Sequence, residues 1–144
     1  MASYTGYHCS PIKDAALSAS VARSLCIADS DGAAKSYRRS DSYSDTHYVY
    51  EVEISGKICG PKTCDKACSD LGFEGLVEDG LTYEAMKKPA VRQWFLDQGY
   101  DAVRYGDTND GLDYECCEIF NADAIVSVKC VEILNEEETE EIED

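Results

Sequence analysis

The chain has 144 residues, of which 29 are acidic and 13 basic, and its formal net charge is −16. This length predicts one domain with a core of its own, and the acidic charge disfavours direct binding to nucleic acid, because phosphate contacts need clustered Lys and Arg. The amino terminus shows no signal-peptide pattern and no stretch is apolar enough for a membrane span, so we expect a cytoplasmic protein with no membrane partner.

The first predicted strand holds Tyr7-His8-Cys9-Ser10, with one of the two histidines near its centre. His8 either lies in the core with its polar ring atoms hydrogen-bonded or contacts a ligand. A helix is predicted next, over residues 30–37, and Tyr37 at its end either packs in the core or offers an aromatic face to a ligand. A loop rich in Ser and Asp follows over residues 38–46.

A second strand is predicted from Tyr48 to Ile54. Aromatic and aliphatic residues alternate there with glutamates, which is typical of a half-buried strand. His47 precedes this strand and is expected to face solvent. The same period of two predicts a late strand at Val126, Val128 and Cys130.

Three cysteines, Cys59, Cys64 and Cys68, have a spacing that raises the question of a metal site. Zinc sites usually combine paired cysteines with nearby histidines, and a fourth ligand is missing here. Because Cys64, Cys68 and Leu71 recur at helical spacing, the pattern favours the apolar face of a short helix that ends at Gly72, with no metal. We expect all eight cysteines to be reduced, since no secretion signal accompanies them.

A further helix is predicted to begin at Pro89 and end at Gly99. A loop rich in Gly, Asp and Asn, residues 106–113, then leads toward Glu115. Strands and helices in this mixed order, without regular βαβ alternation, predict an α+β fold. We expect residues 1–134 to form the domain and residues 135–144 to form a solvated acidic tail that carries seven acids.

Taken in order, these segments resemble the ADP-ribosyltransferase fold of diphtheria-type toxins and poly(ADP-ribose) polymerases, and most closely its small phage-encoded members. The family's Tyr/Trp-His-Gly/Thr-Ser strand is similar to Tyr7-His8-Cys9-Ser10. Its Gly-x-Tyr-Phe-Ala-Asp segment is similar to Leu25-Cys26-Ile27-Ala28-Asp29, with the helix to Tyr37 behind it. The strand at residues 48–54 and the segment Gly99-Tyr100-Asp101-Ala102-Val103 are further likenesses, and the whole spans roughly residues 4 to 128.

The resemblance implies a compact split β-sheet core with short flanking helices, and NAD as the cofactor. It implies that NAD is bound by His8, Cys9, Ser10, Cys26 and Tyr37. His8 would contact the ribose and take part in catalysis, and Tyr37 would face the nicotinamide ring. Cys26 stands where many members of the family have a tyrosine, and Cys9 where many have a glycine.

The chemistry of the family needs a carboxylate near the ribose, where positive charge develops. Glu115 is the first candidate, because a charge on the apolar face of its strand is tolerable only at the mouth of a cleft. Glu118, Asp107 and Asp113 remain alternatives. The family's glutamate stands four residues before a Phe, whereas Glu115 stands five before Phe120 and Glu118 two before it.

The resemblance therefore implies an NAD-dependent mono-ADP-ribosyltransferase that acts in the host cytoplasm on a host protein, as a phage anti-defence factor of the anti-CRISPR kind. Because the chain is acidic, we further expect the target to be a basic, nucleic-acid-binding protein, such as a CRISPR effector subunit. Two alternatives stay open. One is a catalytically inactive acidic module that occludes such a protein, and the other is a hydrolase that consumes NAD without a protein target.

Overall fold

The computed structural model describes residues 2–10, 25–30, 34, 46–109 and 112–135. These residues form one seven-stranded mixed sheet and four helices, so the predicted α+β class is confirmed. Tyr37, nearly all of the predicted helix and loop around it, and residues 136–144 of the predicted tail lie outside the described residues, whereas Asn135 belongs to the last strand.

The strands are β1 (Ala2–Ser10), β2 (Leu25–Ala28), β3 (Thr46–Gly56), β4 (Ile58–Cys59), β5 (Ala102–Asn109), β6 (Leu112–Ile119) and β7 (Ile125–Asn135). Their order across the sheet is β4-β5-β6-β2-β1-β3-β7. The short β4 pairs with β5 in parallel, and the other neighbouring strands pair antiparallel.

All four helices lie between β4 and β5 in the chain. They are α1 (Pro61–Asp70), α2 (Glu74–Glu78), α3 (Thr82–Met86) and α4 (Pro89–Asp97). A proline occupies the first turn of α1 and of α4, where its missing N–H leaves no bond unmade. Gly72 and Gly99 follow these two helices with φ of 78° and 82°, a conformation that favours glycine. Both predicted helix ends are confirmed.

Strand alternation divides the buried residues into two layers, one on each face of the sheet. The first face carries the helices, with Cys64 and Cys68 of α1 and Phe95 of α4 packed on it. Cys64 and Cys68 therefore lie on the buried side of their helix, as their spacing predicts. The second face carries a smaller apolar cluster made of Leu25, Ile27, Tyr50, Val52, Ile54, Ala102, Cys117 and Ile119.

The two predicted strands at residues 48–54 and around Val128 are confirmed as parts of β3 and β7. The prediction for His47 was wrong, since its side chain is only 3% exposed. β3 begins earlier than the pattern indicated and is flanked by β1 and β7, so His47 lies on the same side of a central strand as the buried Val49.

The predicted loop at residues 106–113 was also wrong in extent. β5 continues to Asn109 and β6 starts at Leu112, with Gly106 in register with Glu115 and Asn109 with Leu112. Gly, Asp and Asn disfavour strands by themselves, but pairing with a neighbouring strand outweighs that weak preference.

Asp101 ties the start of β5 to two other parts of the sheet. Its carboxylate accepts a hydrogen bond from the Lys57 backbone N–H at 2.8 Å and from Asn121 Nδ2 at 2.9 Å. Its carbonyl oxygen accepts the Phe120 N–H at 2.8 Å. Gly56 lies directly against this carboxylate, and a Cβ added there would overlap it.

We predict that Gly56→Ala lowers the free energy of unfolding by about 1–3 kcal/mol, because the added methyl group displaces the Asp101 carboxylate from its two donors. The matched control is Gly75→Ala, since Gly75 lies on α2 with open space around it. There the substitution should be neutral or stabilising by up to about 1 kcal/mol. Urea unfolding measures both variants, and equal effects would contradict the assignment.

Candidate functional site

A cleft opens where β1 and β2 separate. Among the described residues of these strands, Tyr7 and Ala28 form the single backbone pair. On the carboxyl-terminal side of Tyr7 the cleft has a volume of about 130 Å³. Its lining consists of Tyr7, His8 and Cys9 from β1, Cys26 and Ala28 from β2, and Ala34 and Tyr83.

Gly6 explains why the strands are close just before they separate. A Cβ at Gly6 would lie 2.8 Å from the Ala28 carbonyl oxygen and 3.0 Å from the Ile27 side chain. Only glycine permits this approach without a shift of β2. The separation therefore begins at a defined point, immediately after Gly6 and Tyr7.

His8 sits in the gap between the two strands. Its Nδ1 lies 3.0 Å from the Cys26 carbonyl oxygen. This side-chain contact takes the place of a backbone hydrogen bond between the two strands. Burial lowers the pKa of His8, the bond to Cys26 raises it by a lesser amount, and the nearby Lys87 charge lowers it further. A neutral ring that donates from Nδ1 keeps Nε2 as an acceptor, so His8 can receive a hydrogen bond from a hydroxyl group.

Two tyrosines give the cleft its aromatic surface. Tyr7 is half-buried on β1, with its hydroxyl 3.4 Å from a carboxylate oxygen of Glu51. Tyr83 comes from α3 and is 37% exposed. Apart from His8, the other lining side chains are small, namely two alanines and two cysteines, so the space suits a flat ring.

Glu118 lies beside the cleft on β6. It is in register with Cys26 of β2, and side chains of such a pair share one face of the sheet. Its side chain is fully buried, with Oε1 2.9 Å from the Tyr105 hydroxyl and Oε2 3.2 Å from Lys87 Nζ. A buried charge needs such partners, and both carboxylate oxygens have one.

Lys87 connects this carboxylate to the cleft wall. Its ammonium group lies 5.0 Å from the centre of the Tyr83 ring and its side chain is 31% exposed. Burial by itself would lower the pKa of Lys87, but the charge of Glu118 and the nearby Tyr83 raise it above its usual value. Lys87 is therefore charged at neutral pH and stands between Glu118 and solvent.

Two thiols on the same face of the sheet as Glu118 also touch each other. Cys26 Sγ lies 2.9 Å from Cys116 Sγ, although the structure has both as free thiols. This contact and burial raise the pKa of Cys26 well above its usual value, and the charge of Glu118 raises it further, while the charge of Lys87 lowers it by a lesser amount. Cys26 is consequently a neutral wall of the cleft and a poor nucleophile.

Glu115 lies on the second face of the sheet, away from Cys9 and Cys26. Its Oε2 is 3.5 Å from Arg104 Nη1, and about a third of its side chain is exposed. Burial raises the pKa of Tyr4, and the charge of Glu115 raises it further. Side chains alternate between the two faces along a strand, and Glu115 and Glu118 are three residues apart on β6. The two glutamates therefore point to opposite faces of the sheet.

The other predicted residues divide into two groups. Ser10 is buried at the end of β1, outside the lining of the cleft. Asp107 and Asp113 belong to the paired ends of β5 and β6, but their side chains lie outside the described part of the structure, as does Tyr37 entirely. The structure thus brings His8, Cys9 and Cys26 together and sets Glu118 beside them.

Sequence reasoning missed Tyr83, Lys87 and Tyr105. The first two are four residues apart, which puts them on one side of a helical turn, but neither belongs to a recognisable motif. Tyr105 is one of ten tyrosines, and only its register with Cys116 brings it to the first face.

Comparison with known proteins gives no relative, since no family model, curated protein or solved structure matches the chain. Within the described residues, no group of three or more His, Cys, Asp or Glu side chains could hold a metal ion. The same part of the chain contains no helix that is long and apolar enough to span a membrane.

We predict that Lys87→Met destabilises the fold by roughly 1–3 kcal/mol at pH 7, because it leaves the buried Glu118 carboxylate without its cation. Partial exposure of Lys87 keeps the effect below that of a fully buried pair. The control is Lys66→Met, which removes the exposed pair with Asp70 and should change the free energy of unfolding by less than about 1 kcal/mol. Equal midpoints of urea unfolding for the two variants would contradict the role given to Lys87.

Proposed function

We propose that the protein is an NAD-dependent ADP-ribosyltransferase that modifies another protein. The observation that carries the proposal is the cleft between β1 and β2. Both segments that resemble the NAD-binding motifs of that family contribute to its lining, the first with Tyr7, His8 and Cys9 and the second with Cys26 and Ala28. Fold class alone would not support this function, because α+β sheets serve many activities.

The size of the cleft decides which part of NAD it can take. Pockets for whole drug-sized ligands measure several hundred Å³, so about 130 Å³ suits a single ring such as nicotinamide. Tyr7 and Tyr83 would contact the ring, and Nε2 of His8 would accept a hydrogen bond from a ribose hydroxyl. The small side chains of Cys9 and Ala28 leave the room that the ring needs.

Glu118 is the acid that this geometry favours, because it shares a face and a register position with the cleft residue Cys26. NAD supplies an ADP-ribose group whose bond to nicotinamide breaks with build-up of positive charge on the ribose. A carboxylate stabilises that charge. The Lys87 side chain, which is already partly exposed, must first move away from Glu118. The carboxylate is then free to stabilise the positive charge on the ribose.

In the transfer, the bond between ribose and nicotinamide breaks and a bond between ribose and the target's nucleophile forms. The nucleophile gives its proton to Glu118 or to water. His8 stays neutral and orients the ribose. The net charge of −16 favours a basic, nucleic-acid-binding target, and a host defence protein such as a CRISPR effector subunit is of that kind.

A second candidate function has an observation of its own. Glu118 is fully buried with both oxygens engaged, and Glu115 lies on the other face. Among the described residues, no carboxylate lines the cleft, and Glu118 cannot act there if Lys87 never leaves it. The protein would then be an acidic binding module that occludes its basic partner without chemistry.

One experiment separates these functions. The protein is incubated with NAD that carries a label on its adenosine half, together with a bacterial lysate, and proteins and small molecules are then analysed separately. We expect label on a protein. Free ADP-ribose without labelled protein would indicate the NAD hydrolase. Neither product, with no binding of NAD in calorimetry, would overturn the transferase and leave the binding module.

A further inference from the structure

β7 is a long strand at one edge of the sheet. It runs for 11 residues and ends the sheet, so its inner side pairs with β3 while its other side borders no described strand. In an antiparallel strand, alternate N–H and C=O groups point away from the paired neighbour. Proteins commonly shorten, charge or cover such edges to prevent pairing with another chain.

Apolar side chains are exposed along the whole of β7. Val126 is 58% exposed, Val128 39%, Val131 43% and Ile133 57%. Val126 and Val131 are the extra residues at two irregularities in the pairing with β3, so apolar groups emerge on both faces. Lys129 and Glu132 are the charged residues of the strand, and neither a proline nor a run of charge protects it.

The sequence that follows β7 is strongly acidic. Seven of the nine residues from Glu136 to Asp144 are Asp or Glu. A chain that pairs with β7 therefore meets negative charge at the carboxyl end of the strand, where Lys and Arg are attracted. A second copy of this protein fits poorly, because each copy has a net charge of −16.

We infer that β7 is a docking edge for an extended basic segment of another protein, which adds to the sheet as an eighth strand. Backbone hydrogen bonds to β7 supply the pairing, and side chains that alternate along the segment pack on Val128 and Ile133. Lysine or arginine residues at one end of the segment lie beside the acidic residues that follow β7. The inference does not depend on the chemistry in the cleft, since two strands, β1 and β3, separate β7 from β2.

The probe is a synthetic peptide of about ten alternating valine and threonine residues with a run of lysines at its amino end, which an antiparallel strand brings to the acidic end of β7. We expect it to protect the β7 amides from hydrogen exchange in the full chain. Replacing the lysines by glutamates, or methylating alternate backbone nitrogens, should each weaken binding at least about tenfold. Protection confined to other strands, or binding that survives N-methylation, would overturn the inference.

Variants of the protein complete the test. Val131→Lys with Ile133→Lys places charge on the exposed edge and should abolish peptide protection while leaving the unfolding midpoint nearly unchanged. Thr5→Lys with Ser3→Lys adds the same charge at exposed positions of the internal strand β1 and should retain binding. A dimer in sedimentation that the edge variant dissociates would show that a second copy is the occupant and would overturn the proposal.

Discussion

Glu118→Gln should lower the rate of ADP-ribose transfer by at least about a hundredfold, with little change in the affinity for NAD. Glutamine is close in size to glutamate and can still accept the hydrogen bond from Tyr105 at 2.9 Å. What it lacks is the negative charge that stabilises a positive ribose. The rate therefore falls through the transition state, while ring contacts with Tyr7 and Tyr83 continue to hold the cofactor.

Glu115→Gln is the matched control on the same strand. It removes the same charge from the second face, where the Arg104 pair is partly exposed, and should leave transfer within about twofold of the native rate. Label transfer to the target protein is the readout, and the unfolding midpoint checks that each variant is folded. Loss of transfer in Glu115→Gln with retention in Glu118→Gln would reverse the assignment. A folded Glu118→Gln variant with full activity would remove Glu118 from the mechanism.

Phe95→Ala should destabilise the fold by about 3–5 kcal/mol, the largest stability effect that we expect from a single substitution. The Phe95 side chain is fully buried on α4. Its ring stacks on Phe120 with centroids 4.9 Å apart and meets Trp94 edge-on at 5.1 Å. Alanine leaves a cavity between the helix and the end of β6, and rigid neighbours can fill it only in part.

The control for Phe95→Ala is Leu81→Ala, because Leu81 is 40% exposed and precedes α3. That change should cost less than about 1 kcal/mol. Urea unfolding followed by tryptophan fluorescence reports on both, since Trp94, the single tryptophan, is in contact with Phe95. Similar midpoints for the two variants would contradict the placement of α4 on the sheet. Loss of NAD binding together with stability would show that α4 supports the cleft as well.

Local patterns predicted several elements well because their causes are local. Alternation at residues 48–54 predicted β3, and Pro89 with Gly99 predicted both ends of α4, since a fixed proline φ and a left-handed glycine act within one turn. The face of α1 that buries Cys64 and Cys68 follows from helical spacing alone. The burial of His47 and the paired ends of β5 and β6 were missed, because pairing with neighbouring strands extended β3, β5 and β6 beyond their local signals.

The sequence by itself determined the α+β class and the position of most elements, and its resemblance to a known family suggested the candidate residues His8, Cys9 and Cys26. It also established that Glu115 and Glu118 occupy opposite faces of one strand, since side chains alternate. The order of the strands decides which face of β6 lies next to the cleft. That order depends on contacts between residues that are far apart in the sequence. Only the tertiary structure placed β2 between β1 and β6, which sets Glu118 beside Cys26 and brings Lys87 and Tyr83 over it.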